Sequence, residues 1–222
     1  SAEVAAIFPR WTNKLPLVIA GGAPVALSVV VGVVWYWFSP LYTDVGYQPT
    51  QPVAFSHKLH AGDMGMDCRY CHNTVEQGPR AAIPPTATCM NCHTQVLPES
   101  LKLKPVRAAA ESGDPIPWVR VHQLPDYAYF DHSAHLAAGV GCSSCHGRID
   151  QMEVVAMEKP LSMSWCLDCH RNPLPNLRPT DQITNMAWSP EDATAYDPTA
   201  DSARVRPAAD LNPPTHCSGC HR

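Results

Sequence analysis

The pattern Cys-x-x-Cys-His occurs five times in this chain, and all ten cysteines belong to it. Two cysteines at this spacing can form thioether bonds to the two vinyl groups of one haem, and the histidine that follows then ligates the iron. The sequence therefore predicts five covalently bound haems of the c type. In chain order, motifs 1 to 5 are Cys68–His72, Cys89–His93, Cys142–His146, Cys166–His170 and Cys217–His221.

Each motif supplies two attachment cysteines and one proximal iron ligand. The predicted attachment residues are Cys68, Cys71, Cys89, Cys92, Cys142, Cys145, Cys166, Cys169, Cys217 and Cys220. The predicted proximal ligands are His72, His93, His146, His170 and His221.

Zinc sites and disulfides are the two alternatives for these cysteines. Paired Cys-x-x-Cys units would make four-cysteine zinc sites, but five pairs leave one over, and zinc does not require a histidine after every second cysteine. A Cys-x-x-Cys disulfide usually serves as a redox centre on a thioredoxin-like fold, and five of them in one short chain have no evident purpose. Haem attachment is the interpretation that uses every residue of the pattern.

The composition favours a fold whose interior is formed largely by bound cofactors. The 222 residues include 23 prolines, and only 16% of them are charged. The sequence has few long periodic segments, so we expect a mostly irregular fold with short α-helices, built around stacked haems in the manner of a multihaem cytochrome c. The 16 lysines and arginines form no basic run, so no nucleic-acid partner is predicted.

Residues 15–38 are predicted to form one transmembrane α-helix. No charged residue occurs between Lys14 and Asp44, and this length suffices to cross a bilayer, which needs roughly 20 apolar residues. The segment is longer than the core of a cleaved signal peptide, so a retained anchor is the better interpretation. Arg10 and Lys14 precede it, which predicts a cytoplasmic N-terminus for residues 1–14. Gly22 and Ala26 suit either close packing on another membrane helix or contact with lipid.

After the anchor, residues 39–54 are predicted to be an extended, proline-rich linker, and residues 55–222 a pentahaem domain. Within this domain a Phe-x-His-x-x-His sequence precedes two haem motifs twice, which predicts dihaem repeats at 55–93 and 130–170. A short helix is expected near 106–112, ended by Gly113. The tail at 171–222 would carry the fifth haem.

The histidines outside the motifs are candidates for the distal axial positions. A haem iron with one histidine is open to substrate, whereas an iron with two protein ligands is closed and serves electron transfer. Six of the 11 histidines lie outside the motifs. The two pairs in the repeats are predicted to be distal ligands: His57 with His60, and His132 with His135.

A fifth distal ligand is less well defined by the sequence. His122 is the first candidate, and the alternatives are His216 and the thioethers of Met163 and Met186. A thioether would raise the potential of its haem, but methionine more often fills gaps in a core. Trp165 and Trp188 are expected to pack against porphyrin faces or form local core.

Several stretches resemble the pentahaem cytochrome c subunit of alternative complex III, a bacterial quinol:electron-acceptor oxidoreductase. The resemblance covers about residues 50–190 and lies in FSHKLHAG before CRYCH, in IPPTATCMNCH, in WVRVHQLPDYAYFDHSAH and in PLSMSWCLDCHRNP. It implies that the chain relays electrons from membrane quinol oxidation through five haems in a respiratory or photosynthetic complex. The ligand roles of the motif histidines and of the two histidine pairs follow from it as well.

The same resemblance implies partners and a location. The partners would be polytopic quinol-binding membrane subunits, an iron–sulfur subunit, monohaem cytochrome c subunits and a soluble or oxidase-linked electron acceptor. The chain would be a single-pass protein of the bacterial cytoplasmic membrane, with the haem domain on the periplasmic side. No catalytic residue is predicted.

Two other functions fit parts of the sequence. One is a self-sufficient, membrane-anchored multihaem quinol dehydrogenase like those that feed periplasmic nitrate and nitrite reductases. In that class the first haem motif follows the anchor closely, whereas Phe38 and Cys68 are well separated here. The other is reduction of nitrite or a similar oxyanion at an open haem, which the supply of histidines disfavours.

Overall fold

The computed structural model describes residues 8–189 and 211–221, and it divides the chain into two compact units between Thr43 and Asp44. The described α-helices are α1 (Leu15–Trp37), α2 (Pro40–Thr43), α3 (Cys68–Cys71), α4 (Thr86–His93), α5 (Lys104–Ser112), α6 (His132–Ala137), α7 (Cys142–His146), α8 (Met163–Arg171) and α9 (Cys217–Cys220). Short 3₁₀-helices lie at Arg10–Lys14, Leu101–Leu103, Ile149–Gln151, Leu174–Asn176 and Thr180–Gln182, and a π-helix lies at Lys58–Asp63. The parts of the predicted N-terminal segment and tail at 1–7, 190–210 and 222 lie outside the described residues.

The first unit consists of the apolar helix and its flanks. Helix α1 and the preceding 3₁₀-turn run without interruption over Arg10–Trp37, and this helix is long and apolar enough to cross a membrane. That criterion rests on length and composition alone. Immediately after it, Pro40–Thr43 forms a helical turn instead of the extended linker expected there, because Pro40 suits a first helical position and the Ser39 carbonyl accepts from the Thr43 amide.

The second unit is mostly irregular chain with short helices, as predicted. Within the described residues, β-structure is limited to isolated bridges between Ala128 and His221 and between Val140 and Leu177. Helix α5 matches the helix expected near 106–112: a proline lies in its first turn, and Gly113 ends it with a φ of 79°. A left-handed residue directly after a helix is the usual glycine stop signal.

Side chains alone do not fill this unit. Among residues 8–189 and 211–221 the buried apolar side chains are Val53, Val75, Val106, Leu136, Met157, Leu177 and Ile183. Three of them, Val75, Leu136 and Ile183, pack together with Ala81 and Cys142 at their edge. So small an apolar core is the expected state of a polypeptide that folds around large apolar cofactors.

Candidate haem sites

Each haem motif lies on its own helix. Motifs 1, 3 and 5 fall on α3, α7 and α9, while motifs 2 and 4 end the longer helices α4 and α8. A helical turn brings residues three apart to one face, so the two cysteines of a motif point the same way. Side-chain caps start some of these turns: Asp67 accepts from the Arg69 amide at α3, and Ser162 accepts from the Trp165 amide at α8.

The two repeats give their histidine pairs the same local geometry. Phe55 lies 4.8 Å from the His57 ring at 89° and 4.5 Å from the His60 ring at 25°. In the second repeat, Phe130 lies 4.7 Å from His132 at 88° and 4.5 Å from His135 at 30°. The phenylalanine therefore packs against both imidazoles in each repeat.

Three pairs of histidine rings face each other at a spacing that fits one metal between them. An imidazole nitrogen bonds a transition metal at about 2.0–2.1 Å, so two rings on opposite sides of one metal have centres roughly 6.3 Å apart. The measured centre-to-centre distances are 6.3 Å for His60 and His93, 6.3 Å for His132 and His146, and 6.1 Å for His135 and His170. In each pair one ring comes from a haem motif and the other from a repeat pair.

The remaining repeat histidine, His57, lies near motif 1. Burial lowers the pKa of His57 to about 4, and the charge of His72 contributes to this shift. Burial likewise lowers the pKa of His146 to about 3, with contributions from His122, His132 and His72. A low pKa keeps these imidazoles neutral, which is the form that binds a metal.

Seven histidine rings have one nitrogen committed to a backbone carbonyl. Because a carbonyl only accepts, Nδ1 carries a proton in each of these rings, and Nε2 is the nitrogen left to face a metal. The pairs are His60 with Ser56 (2.9 Å), His72 with Ala82 (2.8 Å), His93 with Val96 (2.9 Å), His132 with Pro79 (2.8 Å), His135 with Asp131 (2.7 Å), His170 with Pro214 (2.7 Å) and His221 with Tyr127 (3.3 Å).

Three buried ring nitrogens have no hydrogen-bond partner among the described residues: Nδ1 of His57, Nδ1 of His146 and Nε2 of His122. A cavity of about 360 Å³ also opens beside Cys68, and Asp67 and Met186 are among its lining residues. The neutral histidines, the facing ring pairs and the space beside the cysteine together fit bound haem.

The candidates for the fifth distal ligand lie in different places. The His122 ring centre is only 4.4 Å from that of His146, which is too short for a shared iron. Met186 lies beside motif 1. His216 lies over Gly219 of its own motif. Met163 begins α8, is 65% exposed, and precedes Cys166 by one helical turn.

Neighbouring side chains of different motifs indicate a spatial order that the sequence did not: Asn91 of motif 2 donates to the Tyr70 hydroxyl of motif 1 at 3.1 Å, and several cysteines influence the pKa of cysteines in another motif. The Cys68 thiol of motif 1 and the Cys142 thiol of motif 3 lie close enough to shift each other's pKa, lowering that of Cys68 and raising that of Cys142. Burial is the main cause that raises the pKa of Cys71, and Cys89 of motif 2 adds to it. Burial also raises the pKa of Cys145 to about 12, with contributions from Cys169 and Cys166 of motif 4. Cys220 of motif 5 acts on Cys166 in the same way. The motifs therefore follow one another in the order 2–1–3–4–5.

Comparison with known proteins agrees with the motif geometry. A family model described as cytochrome c7 and related cytochrome c matches residues 53–110 and 128–222, which is more than half of the chain. The chain is also similar to the menaquinone reductase multihaem cytochrome c subunit of Nitratidesulfovibrio vulgaris, with 38% identity over 130 residues. That alignment covers 57% of this chain and 59% of the relative, so the two proteins share only part of their length.

Proposed function

The chain belongs to the family of cytochrome c7 and related cytochromes c, and from this premise we propose that it is a relay subunit carrying five covalently bound haems. When bound, each haem supplies a one-electron carrier whose iron is closed to substrate if both axial positions hold protein ligands. The electrons would pass between quinol oxidised in the membrane and an acceptor on the periplasmic side. The three facing histidine pairs at 6.1–6.3 Å are the observation that carries this proposal.

For the axial ligands, we propose one distal histidine for each of four irons. The pairs would be His57 with His72, His60 with His93, His132 with His146, and His135 with His170. For the iron at His221 the positions of the candidates favour Met163 over His122, because Cys166 on the same face of α8 interacts with Cys220. The ten motif cysteines would all carry thioether bonds.

The spatial order of the motifs supports a linear relay. Motif 2 would lie at one end and motif 5 at the other, with motifs 1 and 3 adjacent at the centre, where Cys68 and Cys142 influence each other's pKa. A chain of carriers in contact is what transfer across a subunit requires, and no substrate bond need be made or broken in it.

The setting we propose is a membrane complex of the alternative complex III kind, of the respiratory or photosynthetic type. Residues 15–38 would anchor the chain once in the bacterial cytoplasmic membrane, with 1–14 inside and the haem domain of 55–222, with its two dihaem repeats, outside. The apolar helix and the sequence resemblance support this. Polytopic quinol-binding subunits, an iron–sulfur subunit and monohaem cytochromes would be its partners.

A second candidate is electron flow in the opposite direction, towards quinone. The relative in Nitratidesulfovibrio vulgaris carries the name of a menaquinone reductase subunit, and this favours the second candidate for the shared region. Haem ligation would be the same in both directions. The direction would be set by the potentials of the partners.

The test is reduction by a quinol analogue of the purified chain alone and of the chain in its native membrane complex. Rapid haem reduction only in the complex is expected for a relay whose quinone site lies on a partner. Rapid reduction of the isolated chain would show that it carries its own quinol site and is a self-sufficient quinol dehydrogenase. A complex that oxidises a periplasmic donor and reduces added quinone, without the reverse reaction, would establish the second candidate.

A further inference from the structure

Arg178 is a charged side chain in the interior of the second unit. It is 5% exposed, and no other polar or charged residue within 8–189 and 211–221 is buried to that degree. Burial lowers the pKa of Arg178 from its ordinary value. An arginine nevertheless stays protonated in proteins, so a positive charge resides at this position.

Hydrogen bonds fix the guanidinium against motif 3. Nη2 donates to Ser143 Oγ at 2.9 Å, Nη1 donates to the Asn185 carbonyl at 2.9 Å, and the Trp188 ring lies 5.0 Å from the guanidinium carbon. The Arg178 amide donates to the Gly139 carbonyl, which holds this segment beside the start of α7. The charge therefore has one defined position.

Gly141 shows how closely the guanidinium approaches the motif. A Cβ atom at this residue would overlap Nε, Cζ and Nη2 of Arg178. The φ of Gly141 is −77°, a value open to any residue, so the position needs glycine for space and not for backbone conformation. The arginine occupies the volume that a side chain would take directly before Cys142.

The charge of Arg178 acts on the central cysteines of the relay. It lowers the pKa of Cys142, although the neighbouring Cys68 thiol and burial raise that pKa more strongly. The amide of Cys142 donates to the Ile183 carbonyl, and the Thr184 hydroxyl donates to Asp67 directly before Cys68, so the starts of motif 3 and motif 1 lie against the same short segment near this charge.

We propose that Arg178 is a fixed positive charge that raises the reduction potential of the haem at motif 3 and, to a smaller extent, of the haem at motif 1. The inference rests on the proposed function, because it requires haem at both motifs. Reduction adds one negative charge, so a nearby cation stabilises the reduced state. This effect is strong in the interior, where water screens charges poorly. Arg178 acts on the haem potential through its charge alone and needs no contact with the iron.

The experiment is a spectroelectrochemical titration of the haem-loaded full chain, comparing Arg178→Gln and Arg178→Lys with the unmodified protein. For Arg178→Gln we expect at least a tenfold fall in the reduced-to-oxidised ratio of one haem at a fixed potential, which is about 59 mV for a one-electron couple. Arg178→Lys keeps the charge and should restore most of the potential. Arg69→Gln is the matched control: Arg69 follows Cys68 in sequence, but it is exposed and ion-paired with Asp67 and Glu76, so its loss should shift no potential comparably.

A second pair of variants leaves the arginine in place. Ser143→Asp puts a carboxylate next to Nη2 and should lower the same potential, whereas Ser143→Asn should not. If Arg178→Gln does not assemble with haem, the difference in reduction potential between Ser143→Asp and Ser143→Asn tests the proposal instead. Unchanged potentials in Arg178→Gln, an equal fall in Arg178→Lys, or equal potentials in Ser143→Asp and Ser143→Asn would each overturn the proposal. These outcomes do not depend on quinol, so they leave the test of the proposed function separate.

Discussion

The thiols of Cys68 and Cys142 lie close enough to shift each other's pKa, and each is the first cysteine of the first motif in its repeat. Equivalent residues in contact are the mark of a local twofold relation, like that between the subunits of a symmetric dimer. The link from Cys71 to Cys89 in one repeat has its counterpart from Cys145 to Cys166 in the other. The order 2–1–3–4 is thus symmetric about its centre, and motif 5 extends it on one side only.

The ring geometry predicts different electron paramagnetic resonance signals for two of the irons. The rings of His132 and His146 are nearly parallel at 7°, whereas those of His60 and His93 are inclined at 67°. Parallel axial planes give a rhombic low-spin ferric signal, and strongly inclined planes give a highly anisotropic one. We expect His132→Ala to remove a rhombic signal and His60→Ala to remove an anisotropic one.

Each of these two variants should also open one iron, seen as a high-spin signal and carbon monoxide binding in the reduced protein. His216→Ala serves as the control and should bind none. An unchanged low-spin spectrum in His132→Ala would remove that residue from the ligand set.

The fifth iron distinguishes a thioether from an imidazole ligand. Met163→Leu should leave one iron open to carbon monoxide and lower its potential, since a thioether ligand favours the reduced state. His122→Ala should leave all irons low-spin, because the His122 ring lies against His146 at 4.4 Å. The measurement is carbon monoxide uptake per chain together with the redox titration. An open iron in His122→Ala with none in Met163→Leu would return the ligand role to His122.

Close packing at Gly62 predicts a loss of stability on substitution. A Cβ atom at Gly62 would overlap the Asp150 carbonyl oxygen, a backbone atom that cannot rotate away. Overpacking of this kind destabilises by about 1–3 kcal/mol, and Gly62→Ala should lower the thermal unfolding midpoint of the haem-loaded protein accordingly. Gly78→Ala is the control, because nothing lies within 4 Å of the added atom there. Equal midpoints for the two variants would contradict the packing argument.

The Asp67 carboxylate predicts a component of stability that is lost in acid. Its hydrogen bond with Arg69 is the largest cause that lowers the pKa of Asp67 to about 2, against about 3.9 in an unfolded chain. A lowered folded-state pKa adds stability above the unfolded value, and this is lost as the pH falls from about 4 towards 2. Both side chains are 43% exposed, so solvent screening keeps the effect small.

Asp67→Asn retains a good N-cap residue for α3 but removes the charge, so its unfolding midpoint should depend less on pH in that window. Thr184→Val is the matched variant. It removes a hydrogen bond to Asp67 at 2.8 Å and keeps the charge, so the pH dependence should persist at lower overall stability. Identical pH profiles for Asp67→Asn and the unmodified protein would show that the ion pair adds no stability.

What the sequence predicted here is local, and what it missed depends on distant contacts. The short helix ended by Gly113 followed from a spacing of a few residues, and the mostly irregular fold with one apolar helix is confirmed. The carbonyls that orient His132 and His170 come from Pro79 and Pro214, which no periodicity connects to them. Arg178 reads as an ordinary surface arginine in the sequence, and only its packing beside Gly141 shows its burial.

The two repeats are interlocked, and this has a consequence for the timing of maturation. The amide of Lys58 donates to the Met152 carbonyl after motif 3, and the amide of Ser133 donates to the Gly78 carbonyl after motif 1. In each repeat, the segment that carries the histidine pair is therefore hydrogen-bonded to the segment that follows the first motif of the other repeat. Since a chain leaves the ribosome from its N-terminal end, the first half stays open until the second has emerged. We therefore expect haem attachment at motif 1 to precede the docking of the two repeats on each other.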